Sequence, residues 1–350
     1  MATMKEVADR AGVSIATVSF LLNDTKPVTA ATRERIETAM AELGFRRNAM
    51  ARALASRHTH MLALAYPALE HKLGGTGMEF VTGAARAARA ADYHLVLWPV
   101  SNDAAELGEL VADGLADGVL LMEVLLDDPR VGVLQHAGLP FSLIGRTSDP
   151  HGLDYVDIDF DASTESALEH LQSLGHRRIA LVQEGPLRRG FRSYGPKQRI
   201  RHAFRQLARR RGLDVAVMDC PATAGGGRKA VAGLLDQHPE LTAIVVQNES
   251  AVPGVLTGLE SAGRRVPADL SVLSLLTSAD VGAMADPELT MLQAPGEQLG
   301  QLGVQRLIGL VEADRSKGAT ARPAPSADHR AQLIPCRLVR GRTTGPAPAA

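Results

Sequence analysis

Residues 4–23 read MKEVADRAGVSIATVSFLLN, and their side chains are spaced for recognition rather than for making or breaking bonds. Met4, Val7, Ala8 and Ala11 fall at i, i+3, i+4 and i+7, the spacing of one apolar helix face. Gly12 stops that helix, because glycine enters the left-handed conformation cheaply. Ser14 can cap a second helix, whose Val18, Leu21 and Leu22 turn back toward the first, and Ala8 is small where two helices must nearly touch. This is the pattern of a helix-turn-helix, whose second helix enters the major groove of DNA. An ordinary helical hairpin shares it, so the rest of the chain must decide.

No comparable spacing for catalysis is found. GxSxG, Walker A and HExxH signatures and paired carboxylates are lacking. Gly225–Gly226–Gly227 is not followed by a Lys-Ser/Thr pair, so it reads as a turn before a helix rather than a phosphate loop. The 11 histidines show no metal-ligand spacing, and Arg209–Arg210–Arg211 reads as the solvated end of a helix. No catalytic residue, metal or cofactor is assigned, and the chain is read as a binding protein, not an enzyme.

The 350 residues are 45% hydrophobic with a net charge of −1, enough chain for two or three domains. Cys220 and Cys336 are far apart with no CxxC, which argues against a disulfide framework or zinc site and fits a reducing cytosol. The N-terminus lacks the pattern of a signal peptide and no membrane span is expected, so a cytoplasmic protein is anticipated. Residues 1–60 hold nine Lys/Arg against six Asp/Glu, while the rest hold 29 against 33. A basic head on an acidic body suits a DNA-binding module attached to a larger domain.

The elements that must position such a module follow in order. Thr29 can cap a third helix over about 30–43 with Ile36, Ala39, Met40 and Leu43 as its stripe, ended by Gly44. The alanine-rich NAMARALASR (48–57) is too short for a stable isolated helix and reads as a linker or as a segment that folds on docking. From residue 61 apolar strand-like runs alternate with helical ones: MLALAY (61–66), YHLVLWPV (93–100), GVLLMEVL (118–125), FSLIGR (141–146) and DYVDID (154–159). A second series runs RIALVQ (178–183), VAVMDC (215–220), AIVVQN (243–248), LSVLSLL (270–276) and TMLQAP (290–295). Repeated β-α-β units with apolar strands imply parallel sheets covered on both faces, here two Rossmann-like lobes with ligands at the strand carboxyl ends. Residues 314–329 read as a surface loop, 330–341 as a final strand, and 342–350 as a disordered tail.

The whole chain resembles the LacI/GalR family of bacterial transcriptional repressors. VADRAGVSIATVSFLLN matches its N-terminal signature, VTAATRERIETAMAELGFRRNAMARALAS its third helix and hinge, and LPFSLIGR, ALEHLQSLGHRRIALV and VPADLSV match its body in order, from about residue 3 to 341. The resemblance implies an α + α/β fold: a three-helix headpiece (1–47), a hinge helix (48–57), and a two-lobed core like periplasmic sugar-binding proteins (58–341). It implies a homodimer on a palindromic operator in double-stranded DNA, repression as the default, and allosteric control by a small effector, often a sugar or nucleoside, in the inter-lobe cleft. A solute-binding protein and a non-specific architectural DNA protein are the competing readings; the first would lack the headpiece and the second would show no sequence preference.

By the same resemblance the recognition helix spans about 15–23, with Ile15, Ala16, Ser19, Phe20 and Asn23 on its outer face. Family members commonly read bases with residues matching Ile15, Ala16 and Phe20, and the last is very often arginine. Phenylalanine cannot form the paired hydrogen bond to guanine that is worth about 1–3 kcal/mol of discrimination; it contacts thymine methyls or tucks into the headpiece. Thr3, Ser14, Thr17, Thr29, Thr32 and Asn48 match phosphate-contacting positions, and Met4 and Ala51 join the DNA-contacting set. Leu54 matches the leucine pushed into the minor groove to kink the operator. In the cleft the resemblance points to Arg146, Arg199 (with Arg201 as the alternative, because the spacing to Phe204 is unusual), Asn248 and Gln293. One departure stands out: where the family carries VxGYDD or VxGFDD, this chain reads VLSLLTS, so Leu276 and Thr277 replace acids, the first of which grips sugar hydroxyls.

Overall fold

The computed structural model describes residues 2–23, 26–45, 58–67, 73–185, 193–316 and 331–349. The chain forms two compact units, residues 1–59 and 60–350.

The first unit holds α1 (Met4–Ala11), α2 (Ile15–Asn23) and α3 (Ala30–Glu42). Thr3 opens α1 with a reciprocal cap: its hydroxyl accepts from the Glu6 amide while the Glu6 carboxylate accepts from the Thr3 amide. Gly12, at φ 63°, closes α1. The Ser14 hydroxyl accepts from the Thr17 amide at 3.1 Å and Thr29 caps α3. Val7, Ala8, Ala11, Val18, Leu21, Ile36 and Ala39 form a small closed core, with Met40 and Phe45 packed on it. Two members of the expected stripes fall outside. Met4 is the first residue of α1 and is exposed; Leu43 follows α3 as its cap and is exposed, and Phe45 covers the core at that end instead.

In the second unit, lobe 1 is a six-stranded sheet and lobe 2 another. Lobe 1 runs, edge to edge, β11 (Ala331–Ile334), β5 (Tyr155–Ile158), β4 (Phe141–Ile144), β3 (Gly118–Leu121), β1 (Met61–Tyr66) and β2 (His94–Pro99). Lobe 2 runs β12 (Arg337–Val339), β10 (Thr290–Gln293), β9 (Ser271–Thr277), β8 (Ala243–Val246), β6 (Arg178–Glu184) and β7 (Asp214–Cys220). All pairings are parallel except β10 with β12. The inner strands β1, β3, β6 and β8 are buried along almost their whole length, which is why they read as continuous apolar runs rather than alternating ones.

Helices cover both faces: α4 (Gly75–Ala90), α5 (Ala104–Ala112), α6 (Pro129–Ala137) and α12 (Gly296–Ser316) in lobe 1, and α7 (Phe160–Ser173), α8 (Gly195–Arg211), α9 (Ala224–Gln237), α10 (Val252–Ser261) and the short α11 (Ala279–Ala283) in lobe 2. The chain passes between lobes three times: from β5 into α7, from β10 into α12, and from β11 to β12. α4 and α12 touch through glycines. A Cβ on Gly83 would lie 2.0 Å from the Glu297 carbonyl oxygen, and one on Gly300 would lie 2.0 Å from that of Phe80.

The C-terminal segment departs from the sequence expectation in two ways. The single final strand over 330–341 is two strands, one completing each sheet, divided at Pro335–Cys336 where the chain crosses lobes. The segment 342–349 is not a disordered tail. Thr343 is fully buried and donates to the Val272 carbonyl at 2.7 Å, and the Gly345 amide donates to Ser271 Oγ at 3.0 Å. Its proline and small residues mimic a solvated tail, but its hydrogen bonds go to residues some seventy positions away, which composition cannot register.

Candidate functional site

The first unit presents α2 outward. Val18 and Leu21 face the core, which leaves Ile15 (47% exposed) and Ala16 on the free side with Ser19 and Phe20 half-buried beside them. Phe20 is not a member of the headpiece core; the Lys26 ammonium sits 4.9 Å from its ring centroid, a cation–π contact that keeps a positive charge at the edge of this surface. Ser14 and Thr17 share a 2.8 Å hydroxyl contact at the helix entrance, and Thr29 donates to Thr32 at 2.9 Å at the entrance of α3. Thr3, Ser14 and Thr29 are exposed, so two helix N-termini and one capping box carry hydroxyls at the surface, a chemistry suited to phosphate oxygens. Asn48, Ala51, Leu54 and the Asn23 side chain lie outside the described residues.

In the second unit the carboxyl ends of the strands face a cavity of about 530 Å³ between the lobes. Its polar lining is acidic. Glu123 follows β3, Asp157 sits in β5, Glu184 ends β6, and Gln247, Asn248 and Glu249 follow β8. Tyr194 lies among Glu123, Glu184 and Asp157, and burial, reinforced by those carboxylates, pushes its phenol well above the usual range. Of the four described non-glycine residues in the left-handed region, two line this cavity: Glu123 (φ 55°) and Leu276 (φ 62°).

Asp157 is the most confined of these acids. Its Oδ1 accepts from the Ile158 amide at 2.8 Å, and Arg146 Nη1 lies 3.3 Å from its Oδ2. Burial raises its pKa to about 6, against the opposing pull of Arg146 and Arg199. Arg199 reaches from α8 of lobe 2 and donates to the carbonyls of Arg146 (2.9 Å) and Thr147 (3.0 Å), beyond β4 of lobe 1. The lobes are also joined where Leu125 pairs with Tyr194 and the Leu126 amide donates to the Ser193 carbonyl at 2.8 Å. On the other side Glu249 Oε2 accepts from the Ser278 amide (3.2 Å), while the Thr76 hydroxyl donates to the Leu276 carbonyl (3.2 Å).

The cleft residues expected from the sequence are therefore only partly brought together. Asn248 lines the cavity, with its amide nitrogen donating to the Cys220 carbonyl at 3.1 Å. Arg146 and Arg199 stand behind Asp157 and do not line the cavity; one pairs with the carboxylate and the other ties the lobes. Gln293 is turned to the surface side, accepting from Arg337 at 2.7 Å, and is not part of the lining. The alternative, Arg201, is held by Gln183 and Asp219. Glu123, Asp157, Glu184 and Tyr194 were not singled out from the sequence. The rule that ligands sit beyond strand carboxyl ends points to the three acids, each within the last two residues of its strand or just after it.

Residues 3–48 match the family described as bacterial regulatory proteins, lacI family, and residues 168–344 match a periplasmic binding protein-like domain. The chain is 31% identical over 338 residues to the HTH-type transcriptional regulator CelR of Thermobifida fusca, covering 92% of this chain and 94% of that one. It is 27% identical over 346 residues to the lactose operon repressor of Escherichia coli K12, covering 98% and 90%. Among solved structures, the lac repressor dimer bound to operator and the anti-inducer ONPF superposes with a TM-score of 0.82 at 25% identity, over 98% of this chain and 99% of that one. A CelR–cellobiose complex superposes with a TM-score of 0.66 at 27% identity, over 98% and 100%. A capped helix-turn-helix unit and a two-lobed cleft unit, both matched by the same relatives across nearly their whole length, make one conclusion: the chain belongs to the LacI family of bacterial regulatory proteins.

Proposed function

We propose that this protein is a transcriptional repressor that binds a palindromic operator as a homodimer and is switched by a sugar or related metabolite held between its lobes. The observation that carries the reading is the separate capped headpiece, whose α2 offers Ile15 and Ala16 to solvent beside three exposed capping hydroxyls. One such unit reads one half-site, so two are needed for a palindrome. A dimer is further supported by apolar side chains left exposed on lobe 1, Val96 and Leu97 on the edge strand β2 and Met78 on α4.

Ile15, Ala16 and Phe20 read bases through apolar contacts, with Ser19 and Asn23 beside them; Thr3, Met4, Ser14, Thr17, Thr29, Thr32, Asn48 and Ala51 meet the backbone, and Leu54 wedges into the minor groove. The likeness to the lac repressor on its operator supports this assignment. The likeness to the CelR–cellobiose complex supports a carbohydrate effector. That effector is gripped by Glu123, Asp157, Glu184, Tyr194 and Asn248 and is released unchanged, because the site is one of binding, not turnover. Arg199 and Arg146 act from behind Asp157, so ligand contact at this carboxylate bears directly on the inter-lobe bonds. The protein acts in the cytoplasm, at the nucleoid.

Selection of bound duplexes from a random library, followed by titration at fixed salt, tests the reading. A pseudo-palindromic site bound at least about a thousandfold tighter than scrambled DNA is expected. Equal affinity for all sequences refutes it.

A further inference from the structure

The chain between β3 and α6 has two tasks. Met122, Glu123 and Val124 line the cavity between the lobes. Leu125 and Leu126 then join lobe 1 to lobe 2, the first pairing with Tyr194 and the second donating its amide to the Ser193 carbonyl at 2.8 Å. At the cavity the Tyr194 phenol also donates to the Glu123 carboxylate. Glu123 reaches that place with φ 55°, a conformation that a residue bearing a Cβ adopts at a cost, so its surroundings must hold it.

The holder is a buried ion pair within Asp128-Pro129-Arg130, at the entrance of α6. Asp128 caps the helix by accepting from the Arg130 amide at 3.1 Å, and Pro129 fills the opening turn. The Arg130 side chain turns back, so that Nε and Nη2 donate to the two Asp128 oxygens at 2.9 and 2.7 Å. Nη2 shares its hydrogens with the carbonyls of Glu123 (3.0 Å) and Met122 (3.3 Å). Asp128 Oδ2 in turn accepts from the Leu125 amide at 3.0 Å. Backbone groups on both sides of the left-handed residue thus end on one pair, whose side chains are both 0% exposed. Stability alone does not call for such a pair. Two buried charges carry a desolvation cost that well-packed apolar side chains avoid, and Arg130 Nη1 has no hydrogen-bond partner among the described residues. Apolar side chains, however, could not bond the carbonyls and the amide of this turn.

We propose that Asp128 and Arg130 are positioning residues of the effector site: by fixing the backbone of residues 122–126 they aim Glu123 at Tyr194 and seat Leu126 against lobe 2 together. The inference rests on the effector-controlled reading above. Loss of the pair frees Glu123 from the left-handed region, and the cavity then loses a placed carboxylate at the same moment as the lobes lose a bridge. An effector that touches Glu123 accordingly acts on the segment that joins the lobes.

The test is hydrogen exchange of the intact protein without effector, read by mass spectrometry on a peptide covering residues 123–128, where the Leu125 and Leu126 amides report the two bonds. Two variants are compared with the wild type: Arg130→Met, and Arg130→Lys, whose ammonium lacks the planar fork that serves carboxylate and carbonyls together. In both, exchange in this peptide is expected to quicken by at least about tenfold, while peptides of β4 and β6 keep their protection. Adding Glu123→Gly to either variant is expected to return exchange to within about threefold of the wild type, because glycine takes the left-handed conformation unaided. Adding Glu123→Ala, which keeps the Cβ, is expected to restore nothing. A role in packing alone would not be relieved by glycine at position 123. Arg130→Lys carries the comparison if Arg130→Met does not fold. Unchanged exchange in the folded variants, protection lost equally from β4 and β6, or no restoration by Glu123→Gly each overturns the proposal. The measurement uses neither effector nor DNA, so its outcome is separate from the regulator reading, which falls only if the wild type shows no sequence preference in the duplex selection.

Discussion

Asp157 allows a quantitative test of how the cleft is held. Its carboxyl is almost fully buried in β5, with Arg146 3.3 Å away and Arg199 close by, yet burial outweighs both cations and moves its pKa from 3.8 to about 6. Each tenfold change in proton affinity is about 1.4 kcal/mol, so the ionised carboxylate is disfavoured in the folded core by roughly 3 kcal/mol. The sign follows from linkage. A group whose pKa rises on folding contributes stability that is complete below pH 3.8 and is lost as pH climbs through about 6. The substitution Asp157→Asn installs a neutral amide that resembles the protonated acid and leaves the two guanidiniums as the protonated wild type does. About a third of that contribution is already lost at pH 4.5, so the variant is expected to gain on the wild type by roughly a further 2 kcal/mol between pH 4.5 and pH 8. Urea unfolding followed by the fluorescence of the single tryptophan, Trp98, reads this out in lobe 1, where Asp157 also resides. A stability difference that stays constant from pH 4.5 to 8, or that moves in favour of the wild type, refutes the argument that burial dominates at this carboxylate.

The remaining predictions concern surfaces and packing. Phe20→Arg should shift the selected operator toward G·C at the base pair under this position by about 1–3 kcal/mol, since arginine adds a paired hydrogen bond that phenylalanine lacks; an unchanged consensus in a binding selection removes Phe20 from the base-reading set. Gly300→Ala should lower the stability of the core by about 1–3 kcal/mol, because its Cβ meets the backbone carbonyl of Phe80 at 2.0 Å and neither helix can yield locally. Gly309→Ala, on the same helix with open space around its Cβ, should be neutral or slightly stabilising. Equal melting temperatures for the two variants would mean that α4 and α12 are not in backbone contact.

Much of this architecture is legible from local pattern. The strands MLALAY and RIALVQ read correctly because both faces are covered, which makes them continuously apolar. The helix-turn-helix reads correctly because Val7, Ala8, Ala11, Val18 and Leu21 obey one helical period and Gly12 must take a positive φ. The cleft is less legible, for a physical reason. Arg146 and Arg199 sit near the right strand ends and helix, but burial of a long cation is resolved by pairing, so both turn to Asp157 and to backbone carbonyls rather than to the cavity. Glu123 and Asp157 share the sheet of lobe 1, but Tyr194 is joined to that edge by the bridge between Leu125 and Tyr194, a contact across about seventy residues that carries no local signature. Leu276 is visible in sequence as a departure from the family pattern, whereas its left-handed backbone is visible only in three dimensions.

The division of the last strand between the lobes has a consequence for biosynthesis. β11 completes the edge of one sheet, β12 the edge of the other, and Thr343 and Gly345 then bond to Val272 and Ser271. During translation the headpiece, whose core uses only residues 7 to 45, has all its parts as soon as it emerges. Neither lobe does. Both must wait, with an open sheet edge, for residues 331–339 to leave the ribosome. A nonsense codon before Ala331 would therefore act as a folding lesion in both lobes at once, whereas one after Gly341 would keep both edge strands and remove only the bonds of Thr343 and Gly345 to lobe 2.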